Sequence, residues 1–445
     1  MRRIQALVVM AFLCSLCLIF LYSSLNLHLA HRHRGLSQLQ VSANSRSEAN
    51  SRSEASFETL STKPVPTYLR LTPTEDSTKS VPIQFTVNPT PDLHQAAVFA
   101  AIKKAIPQNT AYWNRVFYSG MGRLDKGGNS TRQEGLDWSH CRHNPEQLRT
   151  NIHDFTSYPE LHQDFLLGME CRNPPILIDQ PEKCTSEDGE TFLLFAIKST
   201  PRNFEQRQVV RETWGREAVY GGGVRVRIVF LLGSLSLEEP DLSQLLVFEA
   251  RHHGDLLQWD FHDSFFNLTL KEQVFYRWVL SRCPKVSFVF KGDDDVFANT
   301  EAILGYLQSL EPNKISKLYL GQMISTASPL RDSKSKYYIP PTFYDGPYPA
   351  YAGGGGYLFS GSLIRQLYSV SKFLPFYPID DVYSGMCFNA LGILPEAHDG
   401  FQTFDIREQD RENPCVHKNL LLVHRRSPRQ IIRLWRSIHN PVLIC

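Results

Sequence analysis

Three consecutive carboxylates close the apolar run Phe288-Val-Phe-Lys-Gly-Asp293-Asp294-Asp295. The run reads as a buried β-strand, and in α/β sheets ligands bind beyond the carboxyl ends of such strands. Adjacent acids repel one another unless a positive charge sits among them. A hard divalent cation bridging phosphate oxygens is the natural partner, which makes Asp293 and Asp295 candidate metal ligands and Asp294 a donor-binding residue beside them. Farther on, His424 follows the apolar run Leu420-Leu-Leu-Val423 and could complete the metal site. A lone histidine in that position is otherwise structural.

A second acidic pair, Asp380-Asp381, follows Tyr377-Pro-Ile at the start of an amphipathic helix. A carboxylate there can be an N-cap, or a general base once a hydroxyl comes within hydrogen-bond reach. Between the two acidic motifs lies Tyr348-Pro-Ala-Tyr351-Ala-Gly353-Gly-Gly-Gly356. Aromatic rings stack on sugar C–H faces, and glycines let a bulky ligand approach main-chain amides, so Tyr351, Gly355 and Gly356 are acceptor candidates. Lys198 follows an earlier strand, with Arg207 and Arg211 at i, i+4 on the next helix. That cluster suits a diphosphate, or else forms a solvated face paired with Glu205 or Glu212. Asp263, at another strand end, could orient a ribose or base, or cap the helix beginning near Thr269.

Other uses of these residues fail on pattern. A calcium loop needs an oxygen ligand at Phe297 and glycine at Ala298. The chain has no G-x-x-x-x-G-K-[ST], no G-x-G-x-x-G, no H-E-x-x-H and no G-x-S-x-G, so P-loop, dinucleotide, zincin and serine-hydrolase readings have no anchor. With 47 basic and 45 acidic residues the net charge of +2 gives no reason to invoke nucleic acid.

The elements that must position these groups alternate. Strand-like runs at 191–197, 224–232, 256–261 and 286–290 are separated by helical patterns at 204–214, 242–251 and 270–282. This predicts an α/β fold with a largely parallel central sheet flanked by helices. Residues 190–297 then form a nucleotide-binding half. Residues 298–445, richer in glycine, proline and tyrosine, form an acceptor half.

Ahead of residue 111 the chain reads as an appendage. Met1-Arg2-Arg3 precedes an apolar stretch over 4–22, at the short end of what spans a bilayer. No small-x-small cleavage site follows promptly, which favours a retained signal anchor over a cleaved signal peptide. From about Leu36 to Pro91, Ser, Thr and Pro dominate, and Ser45-Arg-Ser-Glu-Ala49 recurs as Ser51-Arg-Ser-Glu-Ala55. Such a segment cannot bury enough apolar area to offset chain entropy. The expected layout is a cytoplasmic tail 1–3, a transmembrane anchor 4–22, a luminal stem 23–110 with an amphipathic helix over 91–106, and a catalytic domain 111–445. Asn129-Ser-Thr and Asn267-Leu-Thr are N-glycosylation sequons, useful only in a secretory lumen. Of 9 cysteines, Cys14 and Cys17 lie in the apolar span; the widely spaced remainder lacks zinc-type pairing and predicts up to three disulfides with one thiol left over, pairing open.

Taken in order, these motifs resemble the β-1,3-glycosyltransferases of glycosyltransferase family 31 over about 171–445. The stretches that carry the likeness are Cys171-Arg-Asn-Pro through Gln180-Pro-Glu-Lys-Cys184, Arg207-Gln-Val-Val-Arg211-Glu-Thr-Trp-Gly215, Phe265-Phe-Asn-Leu-Thr-Leu-Lys271, Lys291-Gly-Asp-Asp-Asp295-Val-Phe, Tyr351-Ala-Gly-Gly-Gly-Gly356 and Asp380-Asp-Val-Tyr383. Lys291-Gly-Asp-Asp-Asp-Val-Phe and the Cys171–Cys184 segment look like the N-acetylglucosaminyltransferase branch. The resemblance implies a GT-A fold, UDP-GlcNAc as donor, Mn²⁺ as cofactor, galactose-terminated N-acetyllactosamine-type acceptors on glycoproteins or glycolipids, and a Golgi membrane location with the catalytic domain luminal. It implies Asp293 and Asp295 at the metal with His424 as a further ligand, while the residue patterns offer Asp381 as the base, Lys198, Arg207, Arg211, Asp263, Lys291, Asp293 and Asp294 around the donor, and Tyr351, Gly355, Gly356 and Asp380 toward the acceptor. The family motif often begins with Glu where this chain has Asp380. A β-1,3-galactosyltransferase using UDP-Gal and an inactive lectin-like protein are the rival readings, and pairing with itself or with another glycosyltransferase stays open.

Overall fold

The computed structural model describes residues 99–126, 138–185 and 190–445. The expected tail, anchor and most of the stem lie outside them, as does Asn129. The described residues fall in one compact unit, Thr86–Cys445. Among them no helix is long and apolar enough to cross a membrane.

In chain order the strands are β1 (Ile176–Ile178), β2 (Thr191–Lys198), β3 (Ala218–Tyr220), β4 (Val224–Ser234), β5 (Leu256–His262), β6 (Phe288–Asp293), β7 (Val296–Ala298), β8 (Tyr319–Gly321), β9 (Met323–Ile324), β10 (Tyr351–Ala352), β11 (Gly356–Ser360), β12 (Glu396–Ala397), β13 (Phe401–Gln402) and β14 (Leu422–His424). The helices that matter below are α1 (Ala100–Ala105), α2 (Tyr112–Asp125), α3 (Phe204–Glu212), α4 (Ser243–His253), α5 (Leu268–Arg282), α6 (Asp380–Ala390) and α7 (Pro428–Ile438).

The main sheet runs β1-β5-β4-β2-β6-β11-β8-β12, with β3 paired to β4. Its four central strands, β5, β4, β2 and β6, are parallel. Alternate residues of β2 enter two cores: Leu194 and Ala196 pack with Val274 and Phe275 of α5, while Leu193, Phe195 and Ile197 pack with Val209 and Val210 of α3. Burial on both faces is why these strands read as continuous apolar runs rather than alternating ones. The sheet is mixed rather than largely parallel, because β1 joins β5, and β11 joins both β6 and β8, antiparallel. Since β11 lies between β6 and β8, the two expected halves share one sheet. The short strands β8 and β11 bracket a Pro/Gly/Tyr-rich stretch without periodicity, so no sequence pattern announces this insertion.

A smaller sheet, β13-β14-β7, grows from the strand that follows the acids. It pairs His424 with Val296. Three disulfides, Cys141–Cys171, Cys184–Cys283 and Cys415–Cys445, leave Cys387 as a buried free thiol among the described residues.

The boundary between stem and catalytic domain needs correction. Phe99, Ile102 and Ile106 are buried in the same core as Trp113 and Phe117 of α2, and the Phe99 ring lies 5.6 Å from that of Phe373. Core therefore begins by residue 99, not 111, because α1 buries its apolar stripe. Ile102→Ala should destabilise the protein by about 2–5 kcal/mol, the range for a buried large-to-small change. Chemical denaturation checks this; a change below about 0.5 kcal/mol, typical of surface positions, would return α1 to the stem.

Candidate active site

The register of the central strands sets the site. β2 and β6 pair in parallel with Lys198 opposite Asp293. The Lys198 ammonium lies 2.9 Å from Asp293 and 3.0 Å from Asp380. It also donates to the Gly354 carbonyl at 3.1 Å. Lys291, one position back from Gly292 on β6, is buried between Glu272 of α5 (2.6 Å) and Asp380 (3.5 Å). Glu272 further accepts hydrogen bonds from the hydroxyls of Tyr276, Tyr357 (3.0 Å) and Ser384 (2.5 Å). Two buried lysines thus hold two buried carboxylates and reach a third at the rim.

Beyond this network the chain gathers a candidate metal site. One ligand atom each from Asp293, Asp295 and His424 lies within 4.8 Å of the others. His424 Nε2 is 3.2 Å from Asp295 Oδ1 and 3.6 Å from Asp293 Oδ2. Its Nδ1 lies 2.9 Å from the Thr403 carbonyl. A carbonyl only accepts, so Nδ1 carries the proton and Nε2 faces the carboxylates. Unless the ring is protonated, acceptors then face acceptors, an arrangement a cation relieves. Two carboxylates and one imidazole suit a hard or borderline divalent ion, with coordination positions left for phosphate oxygens. Asp294 points the other way and accepts from Ser199 Oγ (2.6 Å) and Asn203 Nδ2 (2.9 Å). Burial, with Asp293 and Asp295 adding to it, pushes its carboxyl up to about 6 against those two bonds.

Asp380 and Asp381 open α6 and face different surroundings. Burial favours the neutral form of Asp380, but Lys198 and Lys291 outweigh it and hold the carboxyl below the usual range. Asp381 Oδ2 accepts from Gly354 N at 2.9 Å and Oδ1 from Val382 N at 2.8 Å. Burial and the neighbouring Asp380 charge push Asp381 up to about 7. It thus combines a basic carboxylate with a fixed orientation, and N-capping does not account for that pairing.

The glycine run separates the two acidic centres. A Cβ on Gly354 would fall 2.9 Å from Asp381 Oδ2, and one on Gly355 would fall 3.0 Å from His424 Cγ. Bare backbone therefore lets the candidate base and a candidate metal ligand approach from neighbouring positions of one loop.

Several sequence expectations are corrected here. Arg207 is fully buried and forms a fork with Glu249 of α4 at 2.8 and 2.7 Å, while Arg211 joins Glu249 and Asp255. Both guanidiniums are engaged inside the protein and are not presented to a diphosphate. Lys291 is likewise enclosed, and Asp380 anchors the buried network instead of meeting an acceptor. Asp263 is tied to Lys271 at 2.7 Å and to Gly233 N at 2.8 Å, so it braces strand ends. A Cβ on Gly356 would lie 2.3 Å from Leu422 Cδ1, which makes it a packing glycine. Tyr351 keeps 8% of its surface exposed and packs against Tyr348, leaving little ring face for a sugar. Asn267 Nδ2 donates to the His262 carbonyl at 2.9 Å, and the sequon's Thr269 is buried against the Tyr377 carbonyl. Sequence reasoning missed Glu272, Ser199, Asn203 and Thr403. Only Glu272 left a signal, as an acid beside Lys271 ahead of the apolar stretch of α5.

Residues 205–399 match the family model described as Galactosyltransferase. The chain is 48% identical over 349 residues to the Mus musculus protein named N-acetyllactosaminide beta-1,3-N-acetylglucosaminyltransferase 2, covering 75% of this chain and 86% of that one. It is 42% identical over 301 residues to the Homo sapiens acetylgalactosaminyl-O-glycosyl-glycoprotein beta-1,3-N-acetylglucosaminyltransferase, covering 66% and 77%. Among solved structures, a glycosyltransferase involved in glycosylation of the major capsid of PBCV-1 overlaps 55% of this chain and 98% of its own at TM-score 0.29 and 13% identity, too slight a likeness to carry an argument.

The buried network makes a stability prediction. Lys291→Met leaves Glu272 and Asp380 short of a cation in the interior and should cost about 3–5 kcal/mol. Adding Glu272→Gln should recover part of that loss, because the uncompensated charge goes with it. Equilibrium unfolding of the single and double variants measures both; additive losses would show that the two residues do not act as a pair.

Proposed function

The chain belongs to the galactosyltransferase family, glycosyltransferase family 31, and from that membership we propose an inverting β-1,3-N-acetylglucosaminyltransferase. It moves N-acetylglucosamine from UDP-GlcNAc to O3 of a terminal β-galactose on N-acetyllactosamine-type glycans, which extends poly-N-acetyllactosamine. One observation carries the chemistry: Gly354 and Gly355 hold Asp381 and His424 against adjacent stretches of one backbone.

Asp293, Asp295 and His424 would hold the metal, for which Mn²⁺ is the proposed ion in a GT-A type site. When bound, the cation neutralises charge growing on the departing UDP. Lys198, already at the rim beside Asp293, adds a fixed positive charge to the same region. Asp381 takes the proton from acceptor O3 as that oxygen attacks the anomeric carbon from the face opposite UDP. The Gly354 and Val382 amides keep its carboxylate from turning. A single displacement converts the α-linked donor into a β-linked product. A carboxyl near pH 7 is a stronger base than an ordinary aspartate yet is substantially ionised at neutral pH.

The basic start, the apolar stretch over 4–22 and the Ser/Thr/Pro segment support a membrane-anchored protein with its catalytic unit in the Golgi lumen, where disulfides persist. UDP-Gal is the rival donor, since the family's description names galactosyl transfer.

Transfer assays with UDP-GlcNAc and UDP-Gal on galactose-terminated acceptors test the reading directly. Product formed only from UDP-Gal would reassign the donor, and full activity in excess EDTA would remove the metal. Asp381→Asn should lower turnover by at least about a hundredfold while UDP binding stays nearly intact. Near-normal turnover in this variant would move the base elsewhere.

The rate should also follow Asp381 ionisation. A carboxyl raised to about 7 is protonated below that pH and cannot accept a second proton. Turnover should therefore fall roughly tenfold per unit as pH drops below about 7, with a plateau above it. A profile flat down to about pH 5 would mean that the base titrates as an ordinary carboxylate.

A further inference from the structure

Among the described residues other than glycine, two adopt a left-handed backbone, Asp405 (φ 77°) and Arg425 (φ 60°). Such conformations are disfavoured for side chains with a Cβ and persist where surrounding contacts enforce them. Here both flank one buried side chain. Arg426 donates through Nη1 to Asp405 Oδ1 at 2.8 Å, to the Arg425 carbonyl at 2.9 Å and to the His424 carbonyl at 3.2 Å. Its backbone N–H donates to the Asp295 carbonyl at 2.7 Å. Asp405 lies two residues after Thr403, whose carbonyl orients the His424 ring. The guanidinium is closed to solvent, and its Nε and Nη2 have no hydrogen-bond partner among the described residues. Nη1 and its contact with Asp405 therefore fix the group.

We propose that Asp405 and Arg426 form a positioning pair for the metal site. Neither side chain would touch the cation. Arg426 bonds the Asp295 carbonyl through its backbone N–H and the His424 carbonyl through its guanidinium, and Asp405 holds that guanidinium in place. The two ligands then keep their separation before any ion arrives, and binding need not order them. The left-handed turns at 405 and 425 follow from this geometry, since both segments bend toward one nitrogen. The inference rests on the metal reading above and adds to it the residues that set ligand spacing.

The test is Mn²⁺ binding in the presence of UDP, by titration calorimetry on the unaltered protein, Asp405→Asn and Arg411→Ala, with melting temperatures taken without metal. Asparagine tolerates left-handed backbone, so Asp405→Asn removes charge without adding strain. It should weaken Mn²⁺ binding by about tenfold or more, the range for residues that orient metal ligands. The Mn²⁺ concentration for half-maximal transfer should rise by the same factor, while kcat at saturating Mn²⁺ stays within about twofold. Arg411 pairs with the outer oxygen of Asp405 at 2.9 Å and is partly exposed. Its removal should leave Mn²⁺ affinity within about twofold, as for a surface ion pair. Should Asp405→Asn fail to fold, Arg426→Lys carries the test: it keeps the charge but shortens the reach to the carbonyls, and it should show the same weakening. Unchanged Mn²⁺ affinity in the folded variant, or equal losses of affinity in Asp405→Asn and Arg411→Ala tracking their melting temperatures, would overturn the proposal. An unaltered protein that binds no Mn²⁺ with UDP would instead overturn the metal reading itself.

Discussion

Lys198 and Lys291 sit two register positions apart on adjacent parallel strands and both reach Asp380, and the structure around them neutralises them. An ammonium cannot be taken from water without several kcal/mol of penalty unless an anion and further hydrogen bonds meet it. Asp380 and Glu272 supply the anions, one from the start of α6 and one from α5. Since both carboxylates belong to helices on different segments, the charge balance fixes how those helices sit over the sheet. The site inherits that rigidity. Asp293 keeps its place at the end of β6 beside Lys198, and Asp381 is carried by the same helix turn that delivers Asp380.

This constraint separates what is legible in the sequence from what is hidden there. The β-α alternation from 191 to 293 follows from local chemistry, because strands buried on both faces must be apolar throughout. The acid triplet and the pair at 380–381 are legible on similar grounds: a charge at the end of an apolar element is costly to desolvate unless a cation or a ligand meets it. Partners are not legible. Arg207 and Arg211 carry the right charge in the right strand-end neighbourhood, yet Glu249 and Asp255, some forty residues on, claim them. Asp380 and Asp381 are adjacent and chemically identical; Lys198 and Lys291 hold the first ionised inside, while burial and the Asp380 charge raise the second. Such assignments depend on register between distant segments. The antiparallel insertion of β11, which no periodicity announces, sets part of that register.

The glycine run illustrates how one motif can be read correctly as important and incorrectly as to why. Its lack of side chains suggests room for a sugar. In the structure the room is already occupied: Asp381 on one side, His424 on the other, and Thr403 and Leu422 against the flanking glycines. Closeness between two protein groups, rather than access for a ligand, is what the missing Cβ atoms allow.

The Cys415–Cys445 bond closes a ring of the chain whose cysteines stand 30 positions apart, and that ring contains β14, His424, Arg426 and α7. The acid triplet lies outside it, Asp293 at the end of β6 and Asp294 and Asp295 in the turn that leads into β7. The metal trio is therefore drawn from two stretches of chain, the carboxylates from the β6–β7 turn and the imidazole from β14, which pairs with β7 and is also belted by the covalent loop. Reduction of this bond would remove the covalent restraint and leave β14 held by its pairing with β7. The histidine arm is thus restrained twice, by a strand pair and by a bond that only an oxidising compartment sustains.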